Sequence, residues 1–267
     1  GLVLCLMLSE QMLSRAQTYE SPVQMFEPFI WTFGNGQSVL LSTLLLLILF
    51  ADMPFFDQTA PYRLVRMERG IWLAGQVLYV ALAVAVYDLF LLIAEALIAM
   101  PFAYGGNVWS ETSAAFAYSG EGLLGVPVSL KTMEISTPYG CMAQVFLLML
   151  LYSLFLASLM LFLNLTWGNA AGVLGALLVN LYGYLLDPEL IRQIFHIPSG
   201  VLYRANVLCG WLSPLNHATF PMHNFGYDYL PGIGVSAGFF LVCTGLLLGL
   251  SVSRMRKYNF IFAQVEE

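Results

Sequence analysis

The chain has 267 residues, of which 59% are hydrophobic and 10% charged, with 10 Lys and Arg against 16 Asp and Glu for a formal net charge of −6. A soluble domain carries roughly 25% charged residues, so there is too little polar surface here to cover a water-facing globule, and the composition predicts an integral membrane protein in a lipid bilayer. The same balance excludes a disordered chain, a secreted disulfide scaffold and a nucleic-acid binder.

A spanning helix needs about 20 mostly apolar residues, because backbone groups in hydrocarbon must bond within their own segment. Gly1 to Leu13 is apolar apart from Glu10 but too short to cross, and it is expected to be the second half of a first span (about 1–13). A cleavable signal peptide is the alternative, but neither a basic n-region nor a small-residue cleavage site accompanies it. Pro28 to Ala51 is uncharged, and its Leu- and Ile-rich second half sets a span at 37–51. Ile71 to Met100, ended by Pro101, gives a span at 71–100 that carries Asp88 and Glu95. No residue between Glu134 and Asp187 is charged, a run too long for one helix. Asn164-Leu165-Thr166-Trp167-Gly168-Asn169 divides it into spans at 141–163 and 168–186 joined by a tight turn. Tyr229 to Ser253 supplies the last span, at 231–252. The fold expected is all-α: six transmembrane helices, the first truncated, forming one transmembrane domain over 1–267.

Six of the ten basic residues fall in two short segments, Arg63, Arg66 and Arg69 after the second span and Arg254, Arg256 and Lys257 after the last. Short cytoplasmic loops are enriched in Lys and Arg, so the loop and the C-terminal tail are expected to be cytoplasmic. Helix parity agrees, because a first helix running outward puts this loop, the turn near Trp167 and the tail on one side. Within the loop, Pro61 suits a first helical position, and Arg63, Arg66 and Arg69 recur every third residue on one drifting helical face, with Glu68 among them. Such a helix lies flat under the membrane with a polar side open to a cytoplasmic partner, or it anchors on anionic headgroups.

This order of elements resembles the membrane-spanning permease subunits of ABC exporters of the type-two class, in their small Gram-positive branch. The resemblance is carried by Asp52-Met53-Pro54-Phe55 leaving the second helix, the Arg63 to Arg69 segment, Arg69-Gly70-Ile71-Trp72 entering the third, Trp211-Leu212-Ser213-Pro214 before the last span and Arg254-Met255-Arg256-Lys257-Tyr258-Asn259 in the tail. It covers nearly the whole chain and is one of layout. It implies a short cytoplasmic coupling helix at Arg63, Arg66, Glu68 and Arg69 that docks on a separate ATP-binding subunit, and pairing with a second permease chain, identical or related. ATP and Mg would be held by that partner subunit, no cofactor by this chain, and the substrate would be an amphipathic peptide, antibiotic or lipid-like compound moved across the cytoplasmic membrane.

The chain has no GxxxxGK[ST] phosphate loop; Gly34-Asn35-Gly36-Gln37-Ser38 is its nearest glycine pair and lacks the Lys. No GxSxG or HExxH occurs, so no catalytic residue is assigned and ATP hydrolysis belongs to the partner. His196, His217 and His223, with Cys209 and Asp228 nearby, match no zinc-ligand spacing and are read as loop histidines. Cys5, Cys141, Cys209 and Cys243 are read as small core residues.

Asp88 and Glu95 lie seven residues apart, two turns along one helix face, and each is costly if it faces lipid. They are expected to face protein or water. One reading makes them the polar wall of a transport path or a proton relay; the other places Glu95 near the outer headgroups and bonds Asp88 to a hydroxyl or backbone group of a neighbouring helix. The first supports an alternative function, a secondary transporter or channel-like subunit using Asp88 and Glu95 without ATP; a non-transporting scaffold or sensor subunit is a third. Gly168 and Gly172, and Gly234/Gly238 with Gly245/Gly249, have the spacing that lets helices approach closely, and packing within one subunit is expected of them. The long outer segments 101–138 and 187–230 are expected to hold interfacial or re-entrant helices, one at Ile191 to Phe195.

Overall fold

The computed structural model describes residues 2–18, 21–55, 67–119, 128–226 and 228–256. Within them the fold is all-α, relieved by one parallel pair of two-residue strands, β1 (Val23–Gln24) and β2 (Ala103–Tyr104). The α-helices in chain order are α1 (Leu2–Thr18), α2 (Glu27–Phe33), α3 (Gly36–Leu49), α4 (Arg69–Ala99), α5 (Glu111–Ser119) and α6 (Leu130–Ile135). They continue with α7 (Pro138–Trp167), α8 (Asn169–Leu185), α9 (Pro188–Ile194), α10 (Leu202–Leu212), α11 (Pro214–Ala218) and α12 (Ile233–Arg256).

Three helices, α4, α7 and α12, are individually long and apolar enough to cross a membrane. The pairs α2 with α3 and α8 with α9 reach that length only together, each bent by 85°. The expected spans 71–100, 141–163 and 231–252 thus lie on single helices. The span expected at 37–51 is instead α3, whose 14 residues extend about 21 Å against a ~30 Å hydrocarbon core, and only together with α2, across the Gly34-Asn35 bend, does it reach crossing length. The bend is locally encoded: Asn35 is extended and its side-chain oxygen accepts the Gln37 N–H, capping α3 just where α2 ends. Likewise the span at 168–186 is α8, at 17 residues, turning into α9 at Asp187-Pro188. The short helix expected at Ile191 to Phe195 is therefore present as α9. The first helix, α1, has 17 residues and falls short of a crossing by itself.

The hub is α7. It packs against α12, α8, α4, α2, α11 and α3, and 67% of its most apolar stretch is buried, against 28% for α4 and 11% for α12. Helices α4 and α12 therefore present apolar side chains outward, among them Leu78, Leu82 and Val86 on one and Leu241, Val242 and Leu246 on the other, as a lipid-facing surface requires. Pro138 opens α7 at a position whose N–H needs no partner, and Gly168 ends it with φ 95° and ψ 168°, a conformation that admits glycine alone. The chain then reverses directly into α8, which is the tight turn expected there.

Two apolar clusters divide the bundle. One joins α3, α4, α7, α8 and α12 and reaches Met53, Trp72 and Met255; the other joins α1, α2, the end of α4 and the start of α7, around Phe29, Phe33, Leu91 and Phe220. Glycine spacing served the first of these in one case only. Gly172 packs directly on Asn164 of α7, whereas Gly234, Gly238, Gly245 and Gly249 have nothing of another helix within 4 Å. The expected packing role within the subunit thus fails for the α12 glycines, because that helix turns this face away from the bundle.

Candidate functional site

At one end of the bundle, four helix ends come together. The Arg69 guanidinium, in the first turn of α4, donates to the Arg256 carbonyl at the end of α12 (3.1 Å), and the Asn164 amide, near the end of α7, donates to the Met53 carbonyl just beyond α3 (2.5 Å). The exit of α3, the entry of α4, the α7–α8 turn and the end of α12 therefore share one end, as helix parity and the positions of the basic residues require. Arg63 and Arg66 lie outside the described residues. Glu68 and Arg69 are not part of a separate helix among the described residues: Glu68 directly precedes α4 and Arg69 begins it. The helical run simply starts two residues earlier than the apolar pattern indicates.

In the middle of the bundle a polar chain ties three helices. Tyr152 of α7 donates its hydroxyl to Asn180 Oδ1 of α8 (2.8 Å), and Asn180 Nδ2 donates to Thr43 Oγ1 of α3 (2.8 Å). The Thr43 hydroxyl in turn reaches Val39 and Leu40 carbonyls of its own helix, at 2.8 and 2.9 Å. Tyr87 of α4 donates to the Ser42 carbonyl (2.8 Å).

Asp88 and Glu95 are both fully buried, at 0% exposure, and turn inward from α4. Asp88 stands beside Ser153 of α7, and Glu95 beside Cys5 and Ser9 of α1. Neither carboxyl makes a hydrogen bond among the described residues, nor does the Ser153 hydroxyl, while the Ser9 hydroxyl is spent on the Cys5 carbonyl (2.7 Å). Both carboxyls thus face protein: Asp88 is set against the Ser153 hydroxyl of α7, and Glu95 is enclosed between α1 and α4.

At the opposite end from Arg69, the strands β1 and β2 hold the linker after α1 against the chain leaving α4. Here a third buried carboxylate is fully engaged: Glu27 accepts the Ser110 N–H (2.7 Å), the Ser110 hydroxyl (2.5 Å) and the Gln24 N–H (3.2 Å). Trp31 Nε1 adds a bond to Ser113 Oγ (3.0 Å), so α2 and α5 are locked together. Sequence reasoning missed Glu27 because it borders an uncharged run and reads as solvent; its signal was Glu followed by Pro at a helix start. The same end holds His217 and His223, at 3% and 0% exposure; His223 lies in a loop as expected, whereas His217 lies in the short helix α11. Desolvation pushes both imidazoles below their ordinary pKa range, partly offset by backbone carbonyls that accept from them. His196 alone of the three is exposed.

Among the described residues no group of three or more His, Cys, Asp or Glu is placed to hold a metal ion. The cysteines are free, with Cys5, Cys141 and Cys209 buried and Cys243 partly so, which is the core role expected of them.

These features define an all-α protein with three to five helices of membrane-crossing length, a basic end, and two unpartnered carboxyls within the bundle. No family model, curated protein or solved structure matches the chain.

Proposed function

We propose that the chain is the membrane-spanning permease subunit of an ATP-driven exporter of the ABC type, which moves an amphipathic peptide, antibiotic or lipid-like compound outward across the cytoplasmic membrane. The observation that supports this reading is the contact of Arg69 with the Arg256 carbonyl, which sets the first turn of α4 beside the last turn of α12. Six of the chain's ten basic residues lie at or next to these two helix ends in sequence, and Arg69, Arg254 and Arg256 lie on the ends themselves, so a cytoplasmic ATPase would meet a basic end. On this reading that end and the C-terminus face the cytoplasm, a second permease chain completes the pathway, and ATP with Mg stays in the partner. Closure of the ATPase pair would push on Arg63 to Arg69, and the force would enter α4 directly, because Arg69 is its first residue.

The test is to purify the full chain from its native membrane, identify a co-purifying ATP-binding protein, and reconstitute the two. Substrate-stimulated ATP turnover that drops with Arg66→Glu and with Arg69→Glu is the expected outcome. Absence of any ATP-binding partner, or turnover indifferent to both reversals, overturns it.

A second reading is favoured by a separate observation, the burial of Asp88 and Glu95 without hydrogen-bond partners. Intramembrane carboxyls of this kind mark ion or proton paths, and here they would drive a secondary transporter or channel-like subunit without ATP. Transport that ignores ATP and loses its ion coupling with Asp88→Asn or Glu95→Gln would select this reading over the first.

A further inference from the structure

His217 and His223 reach the same hydroxyl. Ser236, in the first turn of α12, has its Oγ 2.8 Å from His217 Nδ1 and 2.9 Å from His223 Nε2. The other ring nitrogens face carbonyl oxygens: His217 Nε2 lies 3.1 Å from the Trp211 carbonyl, and His223 Nδ1 lies 3.1 Å from those of Thr219 and Phe220. A carbonyl oxygen only accepts, so His217 Nε2 and His223 Nδ1 must each carry a hydrogen. If both rings are neutral, the two nitrogens that face Ser236 are then bare acceptors. Ser236 has a single hydroxyl hydrogen and can give it to one of them. The other nitrogen is left at hydrogen-bonding distance from an oxygen with no hydrogen between them, which is repulsive.

We propose that His217, Ser236 and His223 form a binding site for one proton, shared between the two imidazoles, that fastens α11 and the chain following it onto the start of α12. One added proton completes the set: one ring becomes imidazolium and donates to Ser236 Oγ, and Ser236 donates to the other ring. A second proton has no place, since two cations would flank one hydroxyl and its hydrogen would lose its acceptor. The arrangement is also symmetric with respect to the proton. It passes from one ring to the other by two short hops through Oγ, with no heavy atom changing place.

The surroundings isolate this proton. The His217 ring stacks on Phe239 (4.9 Å between centroids, 21°) and meets Trp211 and Phe240 edge-on. Tyr152 on α7, Tyr182 on α8, Cys209 on α10 and Cys243 on α12 are titratable side chains of the elements packed around it. A charge on His217 opposes one on His223. The Lys131–Asp228 ion pair lies beyond Phe225, whose ring packs on Phe220 at 5.0 Å. Burial opposes charge on both rings, the missing hydrogen favours one charge, and the balance admits a single proton.

The experiment uses the full chain in lipid nanodiscs with 15N-labelled histidine, following the ring-nitrogen resonances of His217 and His223 from about pH 9 to about pH 4.5. The expected result is uptake of one proton by the pair, with both buried rings shifting at a common midpoint. Ser236→Ala is expected to lower that midpoint by about one pH unit and to uncouple the two rings, since a hydrogen bond to a charged group is lost. Ser236→Thr, which keeps the hydroxyl, should retain the shared midpoint and keeps the test decisive if the alanine variant does not fold. Two protons with separate midpoints, no uptake over the range, or a midpoint unmoved in Ser236→Ala would each overturn the proposal.

Discussion

The side-chain amide of Asn164 donates to the main-chain carbonyl of Met53 at 2.5 Å, so the last turn of α7 grips the chain where it leaves α3. The amide's own oxygen makes no hydrogen bond among the described residues and lies against Gly172 of α8. A Cβ added at Gly172 would come within 1.7 Å of Asn164 Oδ1 and 2.6 Å of the Met160 carbonyl. One polar side chain thus fixes how closely three helices meet at the basic end.

Asn164→Ala is expected to lower stability by about 1 to 3 kcal/mol, because the Met53 carbonyl would stay buried without its donor. Gly172→Ala should cost a similar ~1 to 3 kcal/mol by overpacking against backbone that cannot yield. Thermal unfolding in detergent measures both. Since the two residues touch, the double variant should depart from additivity.

Gly168→Ala is expected to destabilise by about 1 to 3 kcal/mol through strain alone, since nothing lies within 4 Å of an added Cβ there but φ is 95°. A midpoint equal to that of the parent chain would show that the α7–α8 turn relaxes freely.

Glu27→Ala removes the acceptor of three hydrogen bonds at once and should cost about 3 kcal/mol, an estimate for several buried donors left without a partner. Glu27→Gln keeps the shape but turns an N–H2 toward donors, and should recover only part of that loss. Protease sensitivity of the 103–119 segment should rise in parallel, because Glu27 and Trp31 are what tether it to α2.

Asp88→Asn and Glu95→Gln are expected to leave thermal stability unchanged or to raise it by about 1 kcal/mol or more, as neutral isosteres of buried groups that have no hydrogen-bond partner to lose. A marked drop in the unfolding midpoint of either variant would contradict the burial described here.

Stability should fall as pH is lowered from about 7 to about 5, because burial holds His217 and His223 below the ordinary histidine pKa of about 6.5. In that window the unfolded chain binds a proton on each ring, while the folded pair accepts at most one. The second proton, which only the unfolded chain accepts, then favours unfolding, and the contribution is fully present only above the unfolded pKa. His217→Asn with His223→Asn should flatten the slope of midpoint against pH across this range.

Composition alone points to a chain poor in water-facing surface, because 10% charged residues cannot cover a soluble globule. Long apolar runs locate α4, α7 and α12, since hydrocarbon tolerates only segments that bond internally. The turn at Gly168 was legible from Asn164 to Asn169, and the shared end of the basic segments followed from parity. Periodicity carries no information about bends, so the 85° breaks at Gly34-Asn35 and Asp187-Pro188, which turn two expected spans into broken pairs, appear only in three dimensions. Nor does it tell which polar groups meet. Glu27 with Ser110, 83 residues away, Asn180 with Thr43, 137 residues away, and two histidines on one serine are pairings made by tertiary packing. The sequence shows that a buried polar group needs a partner; only the fold decides which one it finds, or, for Asp88 and Glu95, that it finds no hydrogen bond.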